Sequence, residues 1–281
     1  MNYLLLILVI IFIPLQSVVK KPYTDKLNGK GAYTFTAVLS LVALLFFIVT
    51  GNGFDWNLKF LPYSLGFAAS YIVANVFSVL AIATGSISLT TLVLKYSLVL
   101  PTLYGIFIGE KPSVFLIIGL VLLIISMYLI NRPEKGEKAS FKWLIFALLS
   151  FVGNGMCSVT QKMHQQVFKE AYKNEFMIVA LIVSFIASVI LAIAVEHKDL
   201  KECSKAGLIP ATVCGLLNGA VNLFVMMLND RLPASLMFPL ISAGGIIVVY
   251  FLSKFLYKEK LNKLQFIGLL IGIASVVLLN L

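Results

Sequence analysis

Acidic side chains are scarce in this sequence, and none of them falls in the middle of a long apolar run. The chain has 12 Asp and Glu residues against 22 Lys and Arg residues. Charged residues make up 12% of the chain, about half of the share in soluble domains. Hydrophobic residues make up 60%, more than a soluble domain could keep out of water. The composition therefore predicts an integral membrane protein.

Side chains that ligate metals or form disulfides are equally few. The three cysteines, Cys157, Cys203 and Cys214, form no CxxC pair, and the two histidines, His164 and His197, stand far apart. Metal sites and disulfide frameworks require such residues at short, regular spacings. We therefore expect no metal site and no other cofactor.

Motifs of catalysis and of nucleotide binding are also missing. No stretch of the form GxxxxGKS or GxxxxGKT occurs, so ATP-driven pumping by this chain alone is not expected. A membrane enzyme would need clustered His, Asp or Cys side chains within its spans, and the absence of such clusters predicts that the chain is not an enzyme. The net charge of +10 would suit nucleic acid, but loop lysines orient membrane proteins, so we expect no nucleic-acid partner.

Long apolar runs separated by short polar loops predict an all-α membrane protein with ten transmembrane helices. A helix needs roughly 20 residues to cross a bilayer, and helices satisfy every backbone hydrogen bond inside lipid. The N-terminal run lacks a basic leader and a cleavage site, which predicts a retained first span. The predicted spans are 3–20, 31–50, 60–83, 87–108, 112–131, 141–163, 174–195, 206–228, 233–254 and 263–280.

The two sides of the polar segment 131–140 resemble each other. The paired stretches are SVVKK at 17–21 and SVTQK at 158–162, NVF at 75–77 and NLF at 222–224, and GEK at 109–111 and KEK at 258–260. Nine residues after the glutamate of each of the last two stands a glycine, Gly119 or Gly268. All pairs keep their order at offsets of 141 to 149 residues. This pattern predicts two five-helix repeats, at 1–133 and 139–281, and the odd number of spans makes the second repeat inverted.

The paired span ends carry a family resemblance. They are FIGEKPSVFLIIGLVLLIISMYLI and FLYKEKLNKLQFIGLLIGIASVVLL, together with the PAS at 233–235 that leads into Phe238-Pro239. With these motifs the chain resembles the drug/metabolite transporter superfamily in its ten-span EamA-like form. The resemblance implies two inverted five-helix bundles, with spans one to four and six to nine around a central cavity and spans five and ten outside it. It also implies transport of a small metabolite without fixing which one.

Lys95 is the most informative residue of the sequence. It lies about a third of the way into the apolar stretch SLTTLVLKYSLVLPTLYGIFIGE at 88–110, and it is the only charge deep in a predicted span. A charge at the centre of a membrane helix costs at least ~2.5 kcal/mol. We therefore expect Lys95 to face a polar cavity and to anchor a carboxylate or phosphate of the substrate, although a lysine that only shapes the field of the cavity fits the sequence too.

Uncharged polar residues on the same set of spans are further candidates for substrate binding. Each of them could instead hydrogen-bond between helices, and the sequence leaves both roles open. Tyr71, Asn75 and Ser78 share one helix face because they stand three to four residues apart. The predicted cavity candidates beside Lys95 are Gln16, Tyr71, Asn75, Asn154, Gln161, Asn218, Asn222 and Ser242. Pro14, Pro101 and Pro239 fall inside spans and predict kinks or breaks.

These features predict a secondary transporter of a small polar metabolite, anionic or zwitterionic, such as an amino acid. It would work by alternating access in a bacterial plasma membrane, among lipids, as a monomer or homodimer, with a proton or a counter-substrate as its coupling partner. The alternative is a multidrug, organic-cation or lipid-linked-sugar exporter. Cation-exporting relatives carry a glutamate in the first span, where this chain has Pro14, Leu15 and Gln16.

Two indications of the orientation of the chain in the membrane disagree. Loops after the odd-numbered spans hold fifteen of the 22 Lys and Arg residues, which by the positive-inside rule places both termini outside the cell. The family resemblance implies that both termini lie in the cytosol.

Overall fold

The fold is built from helices. A computed structural model of the chain describes residues 2–51, 58–107, 113–130, 140–169, 171–229, 241–242, 244–245, 247–248, 251–252, 255–256 and 262–278, and these contain no strand. The helices are α1 (Asn2–Leu27), α2 (Ala32–Thr50), α3 (Leu61–Thr84), α4 (Ile87–Lys95), α5 (Val99–Phe107), α6 (Val114–Ile130), α7 (Phe141–Phe168), α8 (Lys173–Glu196), α9 (Leu200–Asn229) and α10 (Lys263–Leu278). The residues described between 241 and 256 are also helical.

Six of the described helices are long and apolar enough to cross a membrane: α1, α2, α3, α7, α8 and α9. Helices α6 and α10 are shorter, with 17 and 16 residues, and most of the predicted ninth span, 233–254, lies outside the described residues. The all-α membrane class is therefore confirmed, whereas the count of ten spans stays a prediction.

Helix α8 shows how the helices meet lipid. Ile186, Ile190 and Ile193 follow one another at helical spacing and are 51%, 60% and 58% exposed. The opposite face carries Ser184 and Ser188, which are fully buried. A soluble helix has the reverse arrangement, because its apolar face turns inward. The outward isoleucines therefore indicate a surface that faces acyl chains.

The predicted fourth span is broken in the middle. A 3₁₀ turn at Tyr96–Leu98 separates α4 from α5. Pro101 explains the break, since it has no N–H to donate to the carbonyl of Ser97 and its ring would clash with that carbonyl. At the break, the side-chain hydroxyl of Ser97 donates to the carbonyl of Leu94 at 2.6 Å. Helix α1, in contrast, continues past Pro14 to Leu27.

Helices α3 and α7 pack closely and antiparallel. The Ser150 hydroxyl donates to the carbonyl of Ala74 at 2.7 Å, and the Cys157 thiol lies 4.0 Å from the carbonyl of Phe67. Residue numbers thus rise along α7 as they fall along α3. A Cβ atom at Gly153 would lie 2.5 Å from the backbone nitrogen of Ala74, so the absence of a side chain lets the two backbones approach.

Helices α1 and α9 form a second antiparallel pair. The Asn218 amide donates to Gln16 Oε1 at 3.2 Å. Phe12 precedes Gln16 on α1 and Phe224 follows Asn218 on α9, and the ring centroids of Phe12 and Phe224 lie 6.4 Å apart. The contacts therefore run in opposite order along the two helices.

Helices α2 and α8 are antiparallel and are joined at one end by a carboxylate. Glu196, the last residue of α8, accepts hydrogen bonds from the backbone nitrogens of Tyr33 and Thr34, both at 2.9 Å. At the other end, Gly51 lies against the side chain of Asn174. A carboxylate at the N-terminus of α2 satisfies backbone donors that have no partner within the helix.

Two further helix pairs run parallel. Gly215 and Gly219 of α9 lie against Leu39 and Phe46 of α2, in the same order along both helices. Helices α3 and α8 contact each other in the same sense: the Ser64 hydroxyl donates to the carbonyl of Phe176 at 3.0 Å, and the Ser184 hydroxyl lies 3.5 Å from the carbonyl of Ala68.

Helices α6 and α10 pack on each other through two reciprocal hydrogen bonds. The Ser126 hydroxyl donates to the carbonyl of Gly268 at 2.6 Å, and the Ser275 hydroxyl donates to the carbonyl of Gly119 at 2.7 Å. Each serine stands seven residues after the glycine of its own helix. The exchange requires the two helices to run antiparallel. Tyr96 joins this pair to the broken span, because its hydroxyl lies 2.5 Å from that of Ser126.

Candidate functional site: a polar cavity among five helices

A cavity of about 180 Å³ lies among α1, α3, α4, α7 and α9. It is smaller than the pockets of about 300–1,000 Å³ that hold drug-sized ligands. Its described lining includes lysines, amides and hydroxyls but no Asp or Glu. None of the described lining residues comes from α6 or α10, and none comes from α2 or α8. The family resemblance implies that the spans of α2 and α8 also face the cavity, and the described lining does not include them.

The cavity brings together most of the residues that the sequence singles out. The lining residues from that set are Gln16, Tyr71, Asn75, Lys95, Asn154, Gln161, Asn218 and Asn222. Ser242 is not among them: it is buried next to the lining residue Ile241, and its hydroxyl has no hydrogen-bond partner in the part of the chain that the structure describes. Whether the lining residues bind a substrate stays a prediction.

Lys95 ends α4 and is buried, with 5% of its surface exposed. Its Nζ has no hydrogen-bond partner among the described residues. The ammonium lies against Gly245, where a Cβ atom would come within 2.6 Å of Nζ. A larger residue at position 245 would therefore push the lysine away from this place.

Lys20 is a second buried cation in the same cavity, and sequence reasoning missed it. Its side chain is 5% exposed, and its Nζ donates to Asn75 Oδ1 at 3.5 Å and to Ser78 Oγ at 3.4 Å. Contrary to the expectation from the sequence, Lys95 is therefore not the only buried lysine of the cavity. The predicted first span ends at residue 20, whereas α1 continues to Leu27.

A signal for the longer first helix is present in the sequence. Although Pro22 follows Lys20 within the helix, the clearest stop signal is Asn28-Gly29, where Asn28, Gly29 and Gly31 adopt positive φ values of 49°, 79° and 78°. Glycine adopts this left-handed conformation readily, so it commonly follows the end of a helix. Seven more residues of helix place Lys20 inside the bundle.

The amides of the cavity form a connected network between four helices. Gln161 Nε2 donates to Asn222 Oδ1 at 3.1 Å, and Asn222 Nδ2 donates to Asn218 Oδ1 at 3.0 Å. The Tyr71 hydroxyl donates to the same Asn218 oxygen at 2.7 Å, and Asn218 Nδ2 donates to Gln16 Oε1 at 3.2 Å. These groups satisfy one another, so they hold α1, α3, α7 and α9 together.

Asn154 and Asn75 position their neighbours as well. Asn154 Nδ2 donates to the Ser97 hydroxyl at 2.8 Å and so holds the broken span against α7. Asn75 Nδ2 donates to the carbonyl of Tyr71 at 3.0 Å, which leaves Asn75 Oδ1 free to accept from Lys20.

The cavity-lining positions of the two halves correspond to each other. The sequence pairs SVVKK with SVTQK at an offset of 141 and NVF with NLF at an offset of 147. Adding 141 to the number of a lining residue on α1, or 147 to that of one on α3, gives another lining residue in eight cases. The pairs are Ile13 with Asn154, Gln16 with Cys157, Ser17 with Ser158, Lys20 with Gln161, Tyr71 with Asn218, Ala74 with Val221, Asn75 with Asn222, and Ser78 with Val225. Every one of these residues lines the cavity. The sequence offsets that predict a duplication thus also pair one cavity-lining residue with another.

Comparison with known proteins identifies the family. Residues 141–281, half of the chain, match the EamA-like transporter family. The chain belongs to that family. No curated protein matches its sequence. A crystal structure described only as that of a protein has a TM-score of 0.58 and 12% identity over 99% of this chain and 95% of the other, and at this identity the likeness shows the fold alone.

Membership of the EamA-like transporter family agrees with the helices and the cavity. It points to an integral membrane protein and suggests a membrane transporter of the drug/metabolite transporter superfamily. The family covers carriers of many small molecules, so the substrate has to be argued from the side chains of the cavity.

Proposed function

We propose that this EamA-like protein is a secondary transporter that moves a small polar metabolite, anionic or zwitterionic, across a bacterial plasma membrane by alternating access. We propose an amino acid or a related compound as the class of substrate. The observation that carries the proposal is the polar cavity in which the buried Lys95 presents an amino group without a hydrogen-bond partner among the described residues.

A buried cation without a partner is costly, and an anionic substrate would remove that cost. Desolvating an ammonium group costs several kcal/mol unless an opposite charge or hydrogen bonds compensate. The described lining contains no carboxylate that could compensate for Lys95. A substrate carboxylate or phosphate would supply both the charge and the acceptor oxygens.

Alternating access is supported by the directions of the helices. Helix α2 packs antiparallel on α8, and the other antiparallel and parallel pairs require α1 and α3 to run opposite to α7 and α9. Helix α6 likewise runs opposite to α10. We propose that residues 1–133 and 139–281 are inverted repeats, as in many secondary transporters that carry their substrate site between the repeats. Two inverted halves can exchange conformations, and each exchange would open the cavity to the other side.

The broken fourth span supports the same site. Discontinuous helices in transporters place polar backbone and side chains at the substrate. Here the break at Tyr96–Leu98 directly follows Lys95, and Asn154 holds it through Ser97.

The cavity does not favour export of an organic cation. Such a substrate would need acidic or strongly aromatic walls, whereas the described lining has two lysines and no acid. The described lining also offers no carboxylate for a proton relay, so we propose exchange against a counter-substrate as the simplest form of coupling.

Uptake by proteoliposomes tests the proposal. The purified chain would be reconstituted and presented with a panel of labelled amino acids, carboxylates, phosphate compounds and organic cations. We expect uptake of an anionic or zwitterionic compound, and we expect Lys95→Ala and Lys95→Met to abolish it.

Lys26→Met is the matched control, because Lys26 is exposed on α1 and should not affect uptake. Transport of none of the panel by the wild-type protein, or undiminished transport of an anion by both Lys95 variants, would contradict the proposal.

A further inference from the structure

Thr91 accompanies Lys95 as a second unsatisfied group of the cavity. The two residues stand four apart on α4, so their side chains lie on the same helix face. Thr91 is 2% exposed, lines the cavity, and its hydroxyl has no hydrogen-bond partner within the described ranges. Leaving a buried polar group without a partner costs about 1–3 kcal/mol. Both groups can donate hydrogen bonds, and neither has an acceptor among the residues that the structure describes.

Lys20 adds a second positive charge to the same space. Its contacts with Asn75 and Ser78 are long, at 3.5 and 3.4 Å, and both partners are neutral. The described lining has no acid to balance either lysine. A ligand with one negative charge would balance only one of the two cations, whereas a ligand with two would balance both.

A zwitterion fits the cavity less well than a dianion. Its ammonium group would need a carboxylate, and the described lining offers none. The amides of the cavity already bond to one another, as in the bonds of Asn218 with Gln16 and Asn222. They can receive a neutral polar group but cannot replace a carboxylate.

We infer that the substrate is a small dianion, with oxyanion oxygens bound by Thr91, Lys95 and Lys20 together. This inference rests on the proposed transport function and narrows it from anionic or zwitterionic metabolites to dianions. Dicarboxylates and phosphate compounds share this chemistry. The volume of about 180 Å³ limits the ligand to a small molecule of either kind.

Thermal unfolding of the full-length protein in detergent tests this binding site. The probes are succinate, inorganic phosphate, lactate and alanine, each compared with sodium chloride at equal ionic strength. A ligand that binds only the folded state raises the unfolding temperature. We expect succinate or phosphate to raise it most, lactate to raise it less, and alanine to leave it unchanged. Comparing the shift in unfolding temperature with succinate and with phosphate tells whether the site prefers a dicarboxylate or a phosphate compound.

Substitutions then assign the shift to the three residues. We expect Lys20→Met, Lys95→Met and Thr91→Val each to weaken dianion binding, the lysine variants by at least tenfold, which corresponds to about 1.4 kcal/mol. Lys26→Met and Thr50→Val are matched controls at exposed positions and should keep the full shift. In the lysine variants, the shifts in unfolding temperature caused by succinate and by lactate should also become more alike. A merely structural effect of the substitution would not change this difference.

The outcomes separate this inference from the transport proposal. A shift with alanine but with neither dianion, no shift with any probe, or equal shifts in wild type and all three variants would overturn the dianion site. Dianion binding that depends on the lysines, combined with no uptake of any compound by proteoliposomes, would overturn the transport proposal and leave the site intact.

Discussion

The cavity has two walls that occupy corresponding positions in the two halves of the chain but carry different side chains. The wall from the first half holds Lys20 and Lys95, and the position that corresponds to Lys20 in the second half is Gln161. The wall from the second half is rich in amides, among them Asn218 and Asn222. Positions paired by the sequence offsets thus line the same cavity, whereas the charge of their side chains differs.

The two walls also differ in how well their polar groups are satisfied. The polar groups of the amide wall have partners, since Asn222 donates to Asn218 within that wall and Asn218 donates to Gln16 of the first half. On the other wall, Lys95 and Thr91 have no partner in the part of the chain that the structure describes. Satisfied polar groups hold helices together, whereas unsatisfied ones are available to a ligand. The comparison therefore assigns structure mainly to one wall and ligand binding mainly to the other.

The largest effect is expected from making the charged wall resemble the amide wall. Lys20→Gln places the side chain of its counterpart, Gln161, at position 20 and removes one of the two positive charges. Because hydrogen bonds to charged groups contribute about 1.5–3 kcal/mol, we expect roughly a ten- to hundredfold loss of dianion uptake. Competition uptake in proteoliposomes measures it, and an unchanged preference for dianions over monoanions would show that Lys20 does not select the substrate.

Asn218→Ala should cause the largest loss of stability. It leaves the Tyr71 hydroxyl, one amide proton of Asn222 and the oxygen of Gln16 without their partner. Hydrogen bonds between membrane helices contribute about 0.6 kcal/mol on average and up to about 1.7 kcal/mol, so we expect a loss of about 1–3 kcal/mol. Thermal unfolding without ligand measures this change in stability.

Lys95→Met is the matched comparison for Asn218→Ala. It replaces an unpartnered cation with an apolar side chain of similar length, so stability without ligand should stay the same or rise. If Lys95→Met destabilised the empty protein as much as Asn218→Ala does, the division into a structural wall and a binding wall would be wrong.

A smaller and more specific difference is expected at the α6–α10 contact. Ser126→Ala and Ser275→Ala each remove one of the two reciprocal hydrogen bonds, but only Ser126 also contacts the hydroxyl of Tyr96. We expect a loss of about 0.6 kcal/mol for Ser275→Ala and roughly twice as much for Ser126→Ala. Equal losses in thermal unfolding would mean that the Tyr96 contact contributes nothing.

Tyr71→Phe should have the smallest effect. The Asn218 oxygen that accepts from Tyr71 also accepts from Asn222, so it keeps a partner after the hydroxyl is removed. We expect a loss of about 0.5 kcal/mol, measured by the same unfolding assay. A loss as large as that of Asn218→Ala would place the centre of the network at Tyr71 instead.

Residue spacing along single helices was enough to find most of the candidate site. Tyr71, Asn75 and Asn222 are polar residues within apolar runs, and inside a membrane such residues turn toward protein or water. Lys95 was found for the same reason. Lys20 was missed because its predicted span stopped at that residue, and a lysine at a span end ordinarily reaches the interface.

Thr91 and the partners of the amides could not have been found in this way. A threonine in an apolar helix normally donates to a carbonyl of its own helix, as Thr36 and Thr84 do. That the Thr91 hydroxyl lacks a partner among the described residues depends on the neighbouring helices.

The sequence by itself determined the membrane class, the bounds of most helices and the polar residues to be explained, while the two repeats stay a prediction. These follow from hydropathy and from spacing along the chain, which are local properties. Only the tertiary structure decided that Lys20 and Lys95 share one cavity, that no described lining residue is an acid, and that the amides satisfy each other while Lys95 and Thr91 do not. The reason is that charge balance and hydrogen bonding within a cavity depend on the rotation and contacts of helices that lie far apart in the sequence.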